Sequence, residues 1–260
     1  MDLAKFIEST AAKGRYHFTT DEASKALNVS RVAARAAIRR MRARGGIAMP
    51  YRGFNVIVPP EYRRLGCLPP EQFIPQLMEH LGMKYYIGLL SAAAVHGAAH
   101  QRPQVFQVVI PPSRPRIRCG ETQVQFVARR NAEEIPTLKK NTPRGYMTVA
   151  SPEATAFDLV GYVHRCGGLG NVATVLAELA EILSAEGLVA IAPLSPVPWA
   201  QRLGHLLEVA GAASIAGPLA THVARTAREY VPLSLKRQDS RYARSVRWKL
   251  IVNDIVRPDL

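Results

Sequence analysis

Apolar residues recur at helical spacing over the first forty-odd positions and then switch to short alternating runs. Leu3, Phe6 and Ile7 place one apolar face on a helix over residues 2–13. Ala23, Ala26 and Leu27 do the same for a second helix that Thr19 or Thr20 can cap, with Asp21 and Glu22 in its first turn, where acids suit the helix dipole. Asn28 and Val29 then turn the chain into residues 30–44, SRVAARAAIRRMRAR. There Ala34, Ala37, Ile38 and Met41 share roughly a quarter turn, while Arg31, Arg35, Arg39 and Arg42 fall within about 80° of one another. Ser30 is a favourable N-cap, and Gly45 and Gly46 accept the left-handed conformation that ends a helix. Beyond them, IAMPYRGFNVIVP carries β-branched and aromatic residues around Arg52-Gly53, which predicts two short strands joined by a basic turn. Pro59 and Pro60 close the segment, so residues 1–58 read as a winged helix-turn-helix.

The remainder predicts a larger α+β domain, giving a mixed α/β chain. Residues 59–80 read as a helical connector, and the small-residue run MKYYIGLLSAAAVHGAAH opens a domain over residues 81–260. Strand signals lie at 105–110, 122–128 and 146–150, with the proline- and arginine-rich stretch PPSRPRIRCG read as a loop. SPEATAFDLV predicts a helix with Ser151 as cap and Pro152 at its first position. GNVATVLAELAEIL, QRLGHLLEVAG and residues 212–229 supply further helices, and the end is a basic loop running into a strand.

Charge sharpens the picture. The chain carries 34 basic against 20 acidic side chains, a formal +14. Residues 1–60 hold 11 basic and 4 acidic groups, so half the excess sits in less than a quarter of the length. An anionic partner is implied. An arginine stripe beside an apolar stripe lets a helix dock by one side and present the other to DNA. Ser30, Arg31, Ala34 and Arg35 are expected at base edges; Arg39, Arg42, Arg52, Thr19 and Tyr51 are expected at phosphates. A candidate second basic surface gathers Arg114, Arg116 and Arg118 with Lys236, Arg237, Arg241, Arg244 and Arg247.

Other chemistries find less support. Cys67, Cys119 and Cys166 are far apart and odd in number, so neither a metal clip nor a disulfide framework is suggested. His96 and His100 share a helical face but lack a legible third ligand, so no metal or cofactor is expected. GGLG lacks the following Lys-Ser or Lys-Thr of a phosphate loop and reads as a helix-start turn. Asp158 is expected inside beside Phe157 as a structural charge paired with Arg165 or Arg202. No acid has Lys two positions on and no Asp-x-Asp occurs, which argues against a restriction-type nuclease and a polymerase-type nucleotidyltransferase. No apolar run reaches the roughly 18–20 residues of a membrane span, so a cytoplasmic protein is expected.

The set YYIGLLSAAAVHGAAHQRPQVFQVV, SPEATAFDLV, GGLGNVATVLAELAE, QRLGHLLE and RWKLIVND, in that order behind a winged helix, resembles the AbiEi family, the antitoxins of type IV toxin-antitoxin systems involved in abortive infection. The resemblance spans nearly the whole chain. It implies a winged helix that binds inverted repeats in its own promoter and represses it, two weakly associating molecules meeting on the DNA. It also implies a C-terminal domain that counteracts a nucleotidyltransferase-like toxin without a stable complex. No catalytic residues come with the resemblance. A plain transcription regulator with a ligand-sensing or dimerising C-terminal half is the alternative.

Overall fold

The computed structural model describes residues 2–98, 103–235 and 242–258. Its helices are α1 (Leu3–Ala12), α2 (Thr20–Leu27), α3 (Arg31–Ala43), α4 (Ile74–His80), α5 (Leu89–Val95), α6 (Pro152–Gly161), α7 (Leu169–Leu179), α8 (Ala185–Ile191), α9 (Val197–Val209) and α10 (Ala213–Thr226). Its strands are β1 (His17–Thr19), β2 (Ile47–Tyr51), β3 (Phe54–Ile57), β4 (Tyr86–Ile87), β5 (Phe106–Ile110), β6 (Ile117–Cys119), β7 (Thr122–Ala128), β8 (Thr137–Thr142), β9 (Gly145–Ala150), β10 (Val231–Pro232), β11 (Ala243–Ser245) and β12 (Leu250–Val252). The described residues divide into two compact units, one drawn from 1–86, 104–132 and 139–148, the other from 87–103, 133–138 and 149–260. The expected cuts at residues 58 and 80 are therefore not where the chain separates: the winged helix shares a unit with residues from far along the sequence.

In the first unit, α1, α2 and α3 close over a sheet of order β1-β3-β2. The core they share contains Leu3, Phe6, Phe18, Ala23, Ile38, Ile47 and Ile57, with Phe6 and Phe18 edge to face at 5.4 Å. Fully burying aliphatic or aromatic side chains of this size contributes roughly 1.5–3 kcal/mol each, which is what fixes three short helices in place. β3 pairs antiparallel with both neighbours, and the register of β2 slips between Ala48 and Tyr51, where Pro50 has no amide to donate. This is the topology of a winged helix-turn-helix. The same unit contains β6-β7-β5, with β7 antiparallel to β6 and parallel to β5. Val108, Val109, Ile110, Val124 and Val127 are almost wholly buried there, the continuous apolar run that an interior parallel strand needs. Residues 117–119, expected within a loop, are strand: Ile117 and Cys119 point inward while Arg118 is exposed.

The second unit is mainly helical. α6 packs against α5, α7, α8 and α9, and α10 against α8 and α9. α6 is buried along Ala154–Val160 rather than on one face. β4 runs parallel to β9 at Ile87 and Val149, and β12 lies between β10 and β11. Trp248, with no exposure, lies over Gly204 of α9, where a β-carbon would run into the indole ring.

Candidate nucleic-acid interface

The site begins with the entry to α2. Thr19 Oγ1 accepts from the Glu22 amide at 3.1 Å, and the Glu22 carboxylate accepts from the Thr19 amide at 2.6 Å, a reciprocal cap that sets where the helix starts. Burial pulls the Glu22 pKa upward, but the Thr19 amide and the Arg15 guanidinium at 2.6 Å outweigh it and hold the carboxyl below its ordinary value. Asn28 ends α2 in the left-handed conformation (φ 52°, ψ 48°), and Ser24 Oγ donates to the Val29 carbonyl at 2.7 Å. The turn into α3 is thus short and held at both sides.

Ser30 caps α3 by accepting from the Ala33 amide at 3.2 Å, and Gly45 follows its last turn with φ +74°. Ala34 and Ile38 are buried against the core. Arg31, Val32, Arg35, Arg39 and Arg42 are exposed. On the helical wheel Val32, Arg35, Arg39 and Arg42 span about 80°, opposite Ala37 and Met41. Arg40 and Arg44 line a recess on another side of α3 with Leu27, Val29, Ala33 and Met41. Arg31 is tied to Asp21 at 2.8 Å, both side chains more than half exposed, so solvent screens a pair that DNA phosphates can displace.

One expectation needs correction. Ala34, expected at a base edge, is 0% exposed and belongs to the face that docks α3. Val32, which sequence reasoning passed over, is 73% exposed among the arginines. Thr19 is engaged in its cap, leaving only its hydroxyl proton for a phosphate.

The wing is the turn at Arg52-Gly53, with Gly53 at φ +84° and Arg52 exposed. Tyr51 OH accepts from the Arg114 guanidinium at 3.4 Å, whose carbon lies 5.8 Å from the ring centre. Three members of the expected second basic surface, Arg114, Arg116 and Arg118, therefore belong to the same unit as the winged helix. Arg244 and Arg247 belong to the other: Arg244 lies over Tyr230, and Arg247 pairs with Glu208 at 3.1 Å. Lys236, Arg237 and Arg241 lie outside the described residues.

The remaining candidates have structural surroundings. Asp158 is fully buried in α6, as expected, and its charge joins burial in pushing the Cys166 thiol up to about 12. Arg202 Nε donates to the Pro232 carbonyl at 3.0 Å, and burial lowers its pKa. His96 Nε2 lies 2.8 Å from the Ala150 carbonyl oxygen, while His100 lies outside the described residues. Among the described residues no group of three or more His, Cys, Asp or Glu side chains is placed to hold a metal, and no helix is long and apolar enough to cross a membrane.

Comparison with known proteins agrees with the fold and names the second part of the chain. The structure is similar to that of the RV2827C protein from Mycobacterium tuberculosis, with a TM-score of 0.68 over 95% of this chain and 90% of that one, at 16% identity. No curated protein matches in sequence. The family model of the AbiEi antitoxin C-terminal domain matches residues 86–209, which the winged helix precedes.

Proposed function

We propose that this protein is an antitoxin that reads duplex DNA with α3 and its wing, represses its own promoter through inverted repeats, and counteracts a nucleotidyltransferase-like toxin without a lasting complex. The observation that carries the reading is the division of α3 into a buried apolar side, Ala34 and Ile38, and an exposed arc of Arg35, Arg39 and Arg42. A rod held in this way enters a major groove with its guanidinium groups toward bases and phosphates. Arg35 and Val32, near the helix start, meet base edges; Arg39, Arg42 and Arg52 meet phosphates. Two molecules occupy the two arms of a repeat. With roughly four to six phosphates neutralised per molecule, log K falls against log salt with a slope near −4 to −5.

The test is a gel shift of the DNA upstream of the coding sequence with the full chain and with Arg35→Ala and Arg39→Ala. Affinity unchanged in both refutes the assignment of α3. Growth assays with the neighbouring toxin gene separate the two roles in one protein. Rescue by the Arg35→Ala, Arg39→Ala double variant places toxin control outside α3. If the unaltered chain gives no rescue, the protein is a plain transcription regulator.

A further inference from the structure

We propose that the loop of residues 111–116, with Arg118 on the strand after it, is a second wing that touches duplex DNA phosphates alongside the first. The inference rests on the reading of α3 and the wing as a DNA surface and extends it to a segment about sixty residues further along the chain.

Three observations place the loop. β6, which follows it, packs beside β2, the edge strand of the winged-helix sheet. The far end of β6 is pinned as well: the Glu121 amide donates to the Leu65 carbonyl at 2.8 Å and Thr122 Oγ1 to the Leu68 carbonyl at 3.2 Å. Gly120 sits so close to Leu65 and Gly66 that no β-carbon fits.

The loop itself then touches the first wing. Arg114 donates to Tyr51 OH and covers its ring, and one recess is lined by Tyr51 and Arg52 on one side and by Arg114 and Arg116 on the other.

Its chemistry matches that of the first wing. Residues 111–120 contain three prolines and three arginines but no acid. Arg116 and Arg118 are exposed and, among the described residues, form no ion pair. Proline fixes φ near −65° and reduces the freedom that phosphate binding would remove. A stiff cationic loop beside a cationic turn favours a partner with regularly spaced negative charge over a length greater than one loop, which is a duplex backbone.

The test uses the full chain carrying Arg116→Ala with Arg118→Ala, and separately both positions changed to Lys. The probes are two duplexes, the upstream promoter fragment and a scrambled fragment of equal length, titrated by fluorescence anisotropy over a potassium chloride series. Phosphate contacts predict that the alanine pair weakens both duplexes by the same factor, on the order of three- to tenfold, and reduces the salt slope by about 2. The lysine pair keeps the slope, because the charge remains. Unchanged affinity and slope for the alanine pair, with binding lost in Arg35→Ala, overturn the second wing and leave the first intact. A changed ratio between the two duplexes overturns phosphate contact as its mode of action. If the unaltered chain binds neither duplex, the DNA reading falls and the second wing with it.

Discussion

Val32 is a valine set among arginines, with 73% of its surface exposed among the described residues. Against DNA, the apolar feature of the major groove that it can meet is the C5-methyl of thymine. Val32→Ala should weaken binding to a selected operator by about 1 kcal/mol, the scale of one or two buried methyl groups. Replacing the contacted thymine with deoxyuridine should cost the unaltered protein the same and the variant nothing. Alanine is the better helix former, so melting temperature should not fall and any loss belongs to the interface. Equal effects of deoxyuridine on both proteins would remove Val32 from the base edge. Ala34 shows what was readable beforehand. Lying four residues from Ile38, it shares that residue's face, and the wheel alone assigns it to the core. Counting positions from the helix start puts it wrongly at the DNA.

At the scale of the element, legibility follows the range of the forces. α2 and α3 are written into adjacent residues: caps at Thr19 and Ser30, a left-handed stop at Asn28, a 3.6-residue apolar period. Removing one such signal has a foreseeable effect: Ser30→Ala should destabilise the first unit by about 1 kcal/mol in urea titration, and an unchanged midpoint would show that packing alone fixes the start of α3. β8, in contrast, carries TLKKNT with its side chains largely exposed, so no apolar alternation announces it. β6 is three residues long, with Pro115 two positions before it and Gly120 directly after it, and is held by distant residues: it packs beside β2, and the turn that follows it bonds to the Leu65 carbonyl. The close approach of α9 to Trp248 was equally illegible, since nothing near Gly204 names the indole that covers it. It yields the sharper stability prediction. Gly204→Ala gains helix propensity of up to about 1 kcal/mol but forces a β-carbon into a buried ring, and overpacking of that kind costs about 1–3 kcal/mol or more. A net loss of stability is expected; a gain would mean that the indole moves aside freely.

Over the whole molecule the order of the chain is not the order of the fold, because residues 104–132 and 139–148 return to the unit that holds the winged helix. Sequence reading cut the chain at residue 58 because Pro59 and Pro60 mark a local stop. Where the chain comes back is decided by strand pairing and by contacts such as Arg144 Nε to Gln72 at 2.8 Å, which no window of neighbouring residues contains. Both units carry histidines whose pKa is lowered, first by burial: His17 in one, His205 and His222 in the other. For His17 and His222 the charges of Arg15 and Arg225 add to the lowering; for His205 the Glu208 charge opposes it. A lowered pKa means that the unfolded chain takes up the proton first. Between the ordinary value of 6.5 and the folded value the unfolded state binds more protons, so stability rises with pH through that window and is lost as pH falls below 6.5. Glu22, lowered from a carboxylate value of 4.5, acts only at more acid pH, and the raised thiols Cys67 and Cys166 titrate far above. The interval from about pH 7.5 to 5.5 therefore reports chiefly on the histidines. Urea midpoints should fall across it, and His205→Asn with His222→Asn should flatten the fall while leaving the contribution of His17. A midpoint independent of pH in the unaltered chain would mean that these imidazoles are as well solvated folded as unfolded, against their burial.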